Sequence, residues 1–213
     1  MTVTWPTSLV PRNAAVTLSS FTKSGGRTST GREQRVMSDA GFWRISYTVP
    51  IRTPQQVRDW NSMLDRLRSG EDIDVKVCGG EAPQGIDVTS TASLTVAAAR
   101  RATRLTFETA LILKAGHYFN RGSQMYRINR IVSTTGFYQA AEAGLPTTDA
   151  VAQDVATYEV DIMPPLRASL AVTAQLRFKD IVCLCVPADM NTGDLDLDLG
   201  RFADPTISFI EAL

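Results

Sequence analysis

Three carboxylates recur at every second residue in the string DLDLDLG, at Asp194, Asp196 and Asp198, and oxygen ligands in such a rhythm are what a calcium loop uses. An EF-hand loop also requires glycine at its sixth position and glutamate at its twelfth, and those places hold Leu199 and Pro205. The string therefore reads as an amphipathic edge strand whose aspartates guard it against stray pairing. Cys183 and Cys185 stand at i and i+2, so in a strand they share one face, and with Cys78 they could offer three thiolates. A zinc site needs a fourth ligand and better spacing, so IVCLCV reads as a core strand with two small hydrophobes. His117, in AGHYF, is the only histidine and has no nucleophile beside it, which makes it a turn or partly buried residue. No G-x-S-x-G elbow, G-x-G-x-x-G or P-loop string occurs. Arg100, Arg101 and Arg104 form a small basic cluster without interleaved aromatics, too little for a nucleic-acid footprint and suited to a solvated face or an intersubunit ion pair. The residues give no reason to expect an enzyme, a metal or a cofactor.

The elements around these residues are mostly strands. The exception is Thr53 to Gly70, TPQQVRDWNSMLDRLRSG, where every local signal says helix. Thr53 is an N-cap, Pro54 occupies the first helical position, Gln56 completes a Thr-x-x-Gln capping box and Gly70 supplies a left-handed stop. Val57, Trp60, Leu64 and Leu67 make one apolar stripe, so a helix over about residues 54–69 has a single face to bury. Its length of roughly 24 Å suits a helix lying across one sheet.

Before the helix, Trp43, Ile45, Tyr47 and Val49 alternate with polar residues as a half-buried strand that Pro50 ends, and Ile73, Val75 and Val77 alternate in the same way after it. Composition does not decide whether these two strands are neighbours. Residues 1–20, punctuated by Pro6 and Pro11, read as an extended arm or edge strand. Thr22 to Arg35, TKSGGRTSTGREQR, has no apolar period and reads as a mobile loop. Residues 78–104 read as loops around a short strand near Leu94 and Val96. Strands are expected over Arg104 to Leu113, Tyr118 to Val132 as a hairpin turning at Asn120 to Ser123, Thr157 to Met163, Leu170 to Phe178, Ile181 to Val186, Leu195 to Leu199 and Thr206 to Ala212. Thr134 to Asp154 is a connection of about 20 residues, longer than a compact domain usually carries without a purpose.

About ten short strands and one helix predict a mainly β fold, a β-sandwich or split β-barrel flanked by one helix. The 213 residues are taken as a single domain with an N-terminal arm over about 1–36 and long loops at 78–104 and 134–154. Lysine plus arginine equals aspartate plus glutamate at 22 each, so no global field draws in nucleic acid or an anionic membrane, and partners held by shape and strand edges are expected. No apolar run is long enough to span a bilayer and the first residues lack a signal-peptide pattern, so no membrane contact or classical export is expected. Three cysteines fit free thiols in a reducing compartment.

Taken in order, several strings resemble the distal-tail (Dit-like) baseplate proteins of long-tailed bacteriophages and related gene transfer agents. They are Trp5-Pro6, Gly31-Arg32-Glu33-Gln34 ahead of the Trp43 strand, and the Leu67-Arg68-Ser69-Gly70 end of the helix. Lys114-Ala115-Gly116, Tyr126-Arg127-Ile128, Pro164-Pro165-Leu166-Arg167 and the closing Ile207-Ser208-Phe209-Ile210-Glu211-Ala212 follow. The resemblance covers most of the chain and implies a structural virion protein, assembled in the host bacterial cytoplasm and located in the virion tail. It implies a homo-oligomer, a hexameric ring that joins the tail tube protein to baseplate hub proteins and leaves a channel for DNA in transit. Larger members carry a galectin-like domain for which this chain is too short, so no carbohydrate-binding residue is carried over. A tail tube or tail terminator protein is the alternative within the class, and a monomeric carbohydrate-binding β-sandwich module the alternative outside it. The resulting site expectations are contacts: Val57, Trp60, Leu64 and Leu67 for helix packing, and Arg27, Arg32, Arg100 and Arg101 for an interface or channel.

Overall fold

A computed structural model describes residues 2–19, 22–27, 30–37, 41–77, 83, 91–136, 155–189, 193–195 and 203–212. In chain order the elements are β1 (Thr2–Thr4), β2 (Asn13–Ser19), β3 (Thr22–Arg27), β4 (Glu33–Met37), β5 (Phe42–Thr48), α1 (Pro54–Arg68), β6 (Asp72–Lys76) and β7 (Thr91–Leu94). They continue with β8 (Arg104–Thr109), β9 (Tyr118–Arg121), β10 (Gln124–Thr135), β11 (Ala156–Met163), β12 (Gln175–Arg177), β13 (Val182–Pro187) and β14 (Thr206–Glu211). The fold is mainly β, with one helix among the described residues. The chain divides into two compact units, residues 1–79 with 182–213 and residues 80–181, a division the reading as one domain did not draw.

The first unit is built on a six-stranded sheet in the order β1-β6-β13-β14-β5-β2. Every pairing is antiparallel except β1 with β6. Alternation decides which face is buried: Trp43, Ile45 and Tyr47 on β5, Ile73 and Val75 on β6, Cys183 and Cys185 on β13, and Ile207 and Phe209 on β14 are all nearly sealed from solvent. The two cysteines are thus core hydrophobes, and both are free thiols. The half-buried Trp5 lays its ring edge-on against Tyr47 and Phe209, at 5.6 and 6.1 Å between centroids, and its Nε1–H donates to the Leu9 carbonyl at 2.6 Å. Glu211, last on the buried face of β14, accepts from the Trp43 backbone N–H at 3.1 Å.

The helix forms as its local chemistry dictates. Thr53 Oγ1 accepts from Gln56 N–H at 3.3 Å and Gln56 Oε1 accepts from Thr53 N–H at 3.1 Å, which closes the capping box. Gly70, with φ of +92°, is the left-handed stop, and its N–H reaches the Leu67 carbonyl. The strands on either side are not neighbours, because β14 and β13 lie between β5 and β6. Three antiparallel steps make β5 and β6 antiparallel, so the end of one and the start of the other sit at the same end of the sheet. Covering three strand spacings, about 14 Å, with 15 residues of helix, about 22 Å, requires the helix to run sideways across the strands.

The second unit is a closed six-stranded barrel, β10-β11-β8-β7-β12-β9, sealed where Arg177 of β12 pairs with Asn120 of β9. Its interior is filled by side chains, among them Leu94, Phe107, Phe119, Tyr126, Tyr158, Val160, Leu176 and Phe178. Phe119 stacks on Tyr126 at 5.4 Å and meets Phe178 at 5.5 Å. Tyr158 Oη donates to the Leu111 carbonyl at 3.1 Å and accepts from Leu113 N–H at 3.3 Å, and burial pushes its phenol pKa up.

Three strand expectations need correction. Thr22 to Arg35 is not a mobile loop: β3 and β4 form an antiparallel hairpin, a separate two-stranded sheet. A ladder needs backbone partners, not a buried face, so the missing apolar period concealed it. The strand expected over Leu170 to Phe178 shrinks to β12, because Thr173 takes a left-handed φ of +70° and breaks the extended run. The strand from Arg104 stops at Thr109, although Leu111 and Leu113 are buried as the alternation anticipated. The connection over 137–154 and the aspartates at 196 and 198 lie outside the described residues. Residues 1–36, read as an arm, supply β1 and β2 to the sheet and the β3–β4 hairpin.

Candidate interaction surface

On the helix, Trp60, Leu64 and Leu67 are buried as the stripe required, while Val57 is half-buried. The stripe omitted Met63, 2% exposed, which a count at i, i+3, i+4 and i+7 from Trp60 would have found. Trp60 Nε1–H donates to the Gly193 carbonyl at 2.8 Å. Gly193 is wedged between helix and sheet, since a Cβ there would meet Trp60 at 3.2 Å, Leu64 at 3.3 Å and Ile207 at 3.5 Å. The N-terminal turn of the helix is tied to the chain ahead of it by Gln56 Nε2 donating to the Ser8 carbonyl and Ser8 Oγ donating to Asp59 at 2.6 Å. The C-terminal end carries an ion pair between Arg68 and Asp194.

The four arginines fall into two pairs. Arg27 ends β3 and Arg32 lies just before β4, so the hairpin brings both, exposed, to its turn end. Arg100 and Arg101 are exposed in the turn between β7 and β8, where Arg101 takes a left-handed φ of +71° and its N–H donates to the Leu166 carbonyl at 2.8 Å. The two pairs belong to different units. Arg104, read as part of the same basic cluster, is exposed as well, and on the outer face of the barrel it donates to Asp161 at 2.8 Å and to Glu159 at 3.3 Å. Arg130 grips the other Asp161 oxygen at 2.7 Å. Arg104 and Arg130 together hold the Asp161 carboxyl below its ordinary pKa, and Asp161 raises that of Arg104. His117 is buried, and its Nδ1 accepts from the Lys114 N–H at 3.1 Å, which fixes the 114–117 turn. Among the described residues, no three His, Cys, Asp or Glu side chains gather in a way that could hold a metal ion.

The surface with the clearest capacity to bind is a strand edge. Unpaired edges are usually guarded by shortness, charge, proline or a bulge. β1 is three residues long and Pro6 follows it closely. Beyond its pairing with β9, β10 is itself bulged, with register shifts at Ile128/Arg130 and Ile131/Ser133 in its ladder with β11. The β3 edge is distorted between Ser24 and Arg27, with Gly26 at φ of +88°. β2 has none of these guards: NAAVTLS is seven residues long, contains no charge and no proline, and pairs only with β5 among the described residues. Its register puts Ala14, Val16 and Leu18 opposite Tyr47, Ile45 and Trp43, so the apolar face of the sheet continues onto β2, where it is partly open to solvent. The described aromatic side chains, by contrast, are buried or half-buried. No protein-family model matches this chain, and no curated protein shows significant similarity to it.

Proposed function

We propose that the chain is a structural protein of a phage-like particle that forms a hexameric ring at the distal end of the tail tube, joining the tube to the baseplate hub and leaving a channel for DNA. Two lines support the reading. The ordered strings from Trp5-Pro6 to the closing ISFIEA carry the identity of the particle. The observation that carries assembly is β2, a seven-residue edge with an apolar face and no guard, which left bare would invite uncontrolled pairing. Rings form when such contacts are head-to-tail and the rotation closes. None of the described aromatics is fully exposed, so the carbohydrate-binding alternative draws little support from them.

The test is native mass of the purified protein over a concentration series, with negative-stain images of the same sample. Six-membered rings that do not elongate support the reading. Long tubes replace it with a tail tube protein, and a monomer throughout, alone and with particle components added, overturns it.

A further inference from the structure

Two edges of the first unit carry neither a proline nor a bulge of their own among the described residues. One is β2. The other is the outer edge of β4, EQRVM, which carries Glu33 and Arg35 but pairs only with β3 among the described residues and keeps a regular register over Thr22↔Met37, Lys23↔Val36 and Ser24↔Arg35. β3 starts three positions after β2 ends, close enough for the two to form a hairpin, yet β3 pairs with β4 and β2 pairs with β5. A two-stranded hairpin is marginal in water unless a third strand or a packed face supports it. The chain therefore presents a sheet lacking its next strand and a strand pair lacking its sheet, of similar length: seven residues in β2 and five in β4.

The geometry points to one occupant for both edges: the β3–β4 hairpin of one copy adds through β4 to the β2 edge of the next copy, turning a six-stranded sheet into an eight-stranded one shared between two chains. This rests on the ring reading and names the surfaces that close it. Strand addition satisfies backbone groups on both edges. It also covers the open flank of Ala14, Val16 and Leu18, which the Gly-distorted β3 edge would fit poorly. Because the donor edge and the acceptor edge differ, the contact is head-to-tail and repeats around a ring, and exchange of a hairpin across a short link is a low-cost route to such contacts.

The experiment uses full-length chains in a Cys78→Ser background, leaving only the buried Cys183 and Cys185. Tagged Ala15→Cys protein is mixed under mild oxidation with untagged Gln34→Cys or Val36→Cys protein, so that a mixed disulfide can form only between two copies. Paired strands bring Cα atoms within reach of a disulfide, about 7 Å. A cross-link at one of these positions, absent when Ala15→Cys is mixed with chains carrying no added cysteine, is expected. Oligomers in the mass profile without any cross-link overturn the hairpin pairing and leave the ring standing. Monomers without cross-link overturn both. Cross-linked dimers or fibres without rings support the pairing and overturn the hexamer. A second variant, Ala15→Lys, adds the missing guard on an exposed position. It should raise the concentration needed for assembly roughly tenfold or more, with tryptophan emission and circular dichroism unchanged. Assembly at the wild-type concentration would refute the pairing.

Discussion

Gly193→Ala should loosen the helix from its sheet by an amount that the structure allows to be divided into two parts. The first is backbone: Gly193 sits at φ of +84°, and a left-handed conformation costs a residue with a Cβ about 1–2 kcal/mol. The second is packing: the new methyl lands 3.2 Å from Trp60 and 3.3 Å from Leu64, both buried, and forcing a carbon into a filled site costs about 1–3 kcal/mol. The sum is about 3 kcal/mol, which at a urea dependence of about 2 kcal/mol per molar lowers the midpoint by about 1.5 M. Gly70→Ala isolates the first part, because Gly70 also has a left-handed φ, +92°, with open space around its Cβ position. It should lower the midpoint by about 0.5–1 M at the same urea dependence. Trp5, Trp43 and Trp60 all lie in the first unit, so tryptophan emission during urea unfolding follows that unit by itself. Equal midpoints for the two variants would refute the close approach of Gly193 to the helix. A Gly193→Ala midpoint equal to wild type would refute the backbone reasoning as well.

Thr53→Ala removes one half of the capping box and should destabilise the first unit by about 1 kcal/mol, read from the same emission curve. In the barrel, Tyr158→Phe leaves the buried Leu113 N–H without its acceptor and should cost about 1–3 kcal/mol, seen as an earlier loss of barrel structure by hydrogen exchange. Asp161 has a folded-state pKa below its unfolded value, so its ion pairs contribute stability above about pH 4 that is lost as pH falls through the lower folded pKa. Asp161→Asn should remove that part of the acid dependence, and an acid titration of barrel stability with the same slope in both proteins would contradict the pairing with Arg104 and Arg130.

What could be read from the sequence was whatever is decided within a few residues. The capping box, Pro54 and Gly70 set the ends of the helix through bonds no more than four residues long, and the Trp43 and Tyr158 strands declared their buried faces by strict alternation. The hairpin at Thr22 stayed hidden because its ladder has no accompanying apolar rhythm. The division into sheet and barrel was hidden for a different reason: it depends on Lys76 pairing with Val182 and on Asn120 pairing with Arg177, and no local signal marks partners so far apart. The solvated setting of Arg104 was legible but its partner was not, because the carboxylate of Asp161 lies 57 positions away. Of the candidate surface, the arginines could be placed only in turns, and the exposed run of β2 registered as no more than an edge. Its meaning appeared once the other edges were seen to be guarded.

The pairing of Lys76 with Val182 has a consequence for the order of biosynthesis. β6 and β13 are adjacent strands, yet residues 80–181 are translated between them. On the ribosome every strand of the barrel emerges before the first residue of β13, so the inserted unit can close while its host still lacks two central strands. The host sheet is then finished by its last 32 residues, 182–213, which must slot between β6 and β5. Until they do, β5 and β6 wait with inner edges bare, and stalling or truncation after the barrel leaves a folded insert on an unfinished sheet, the species most exposed to aggregation. The same adjacency makes the insert a removable cassette. Its entry and exit are neighbouring strands, so a short turn joining β6 to β13 would preserve the ladder of the host.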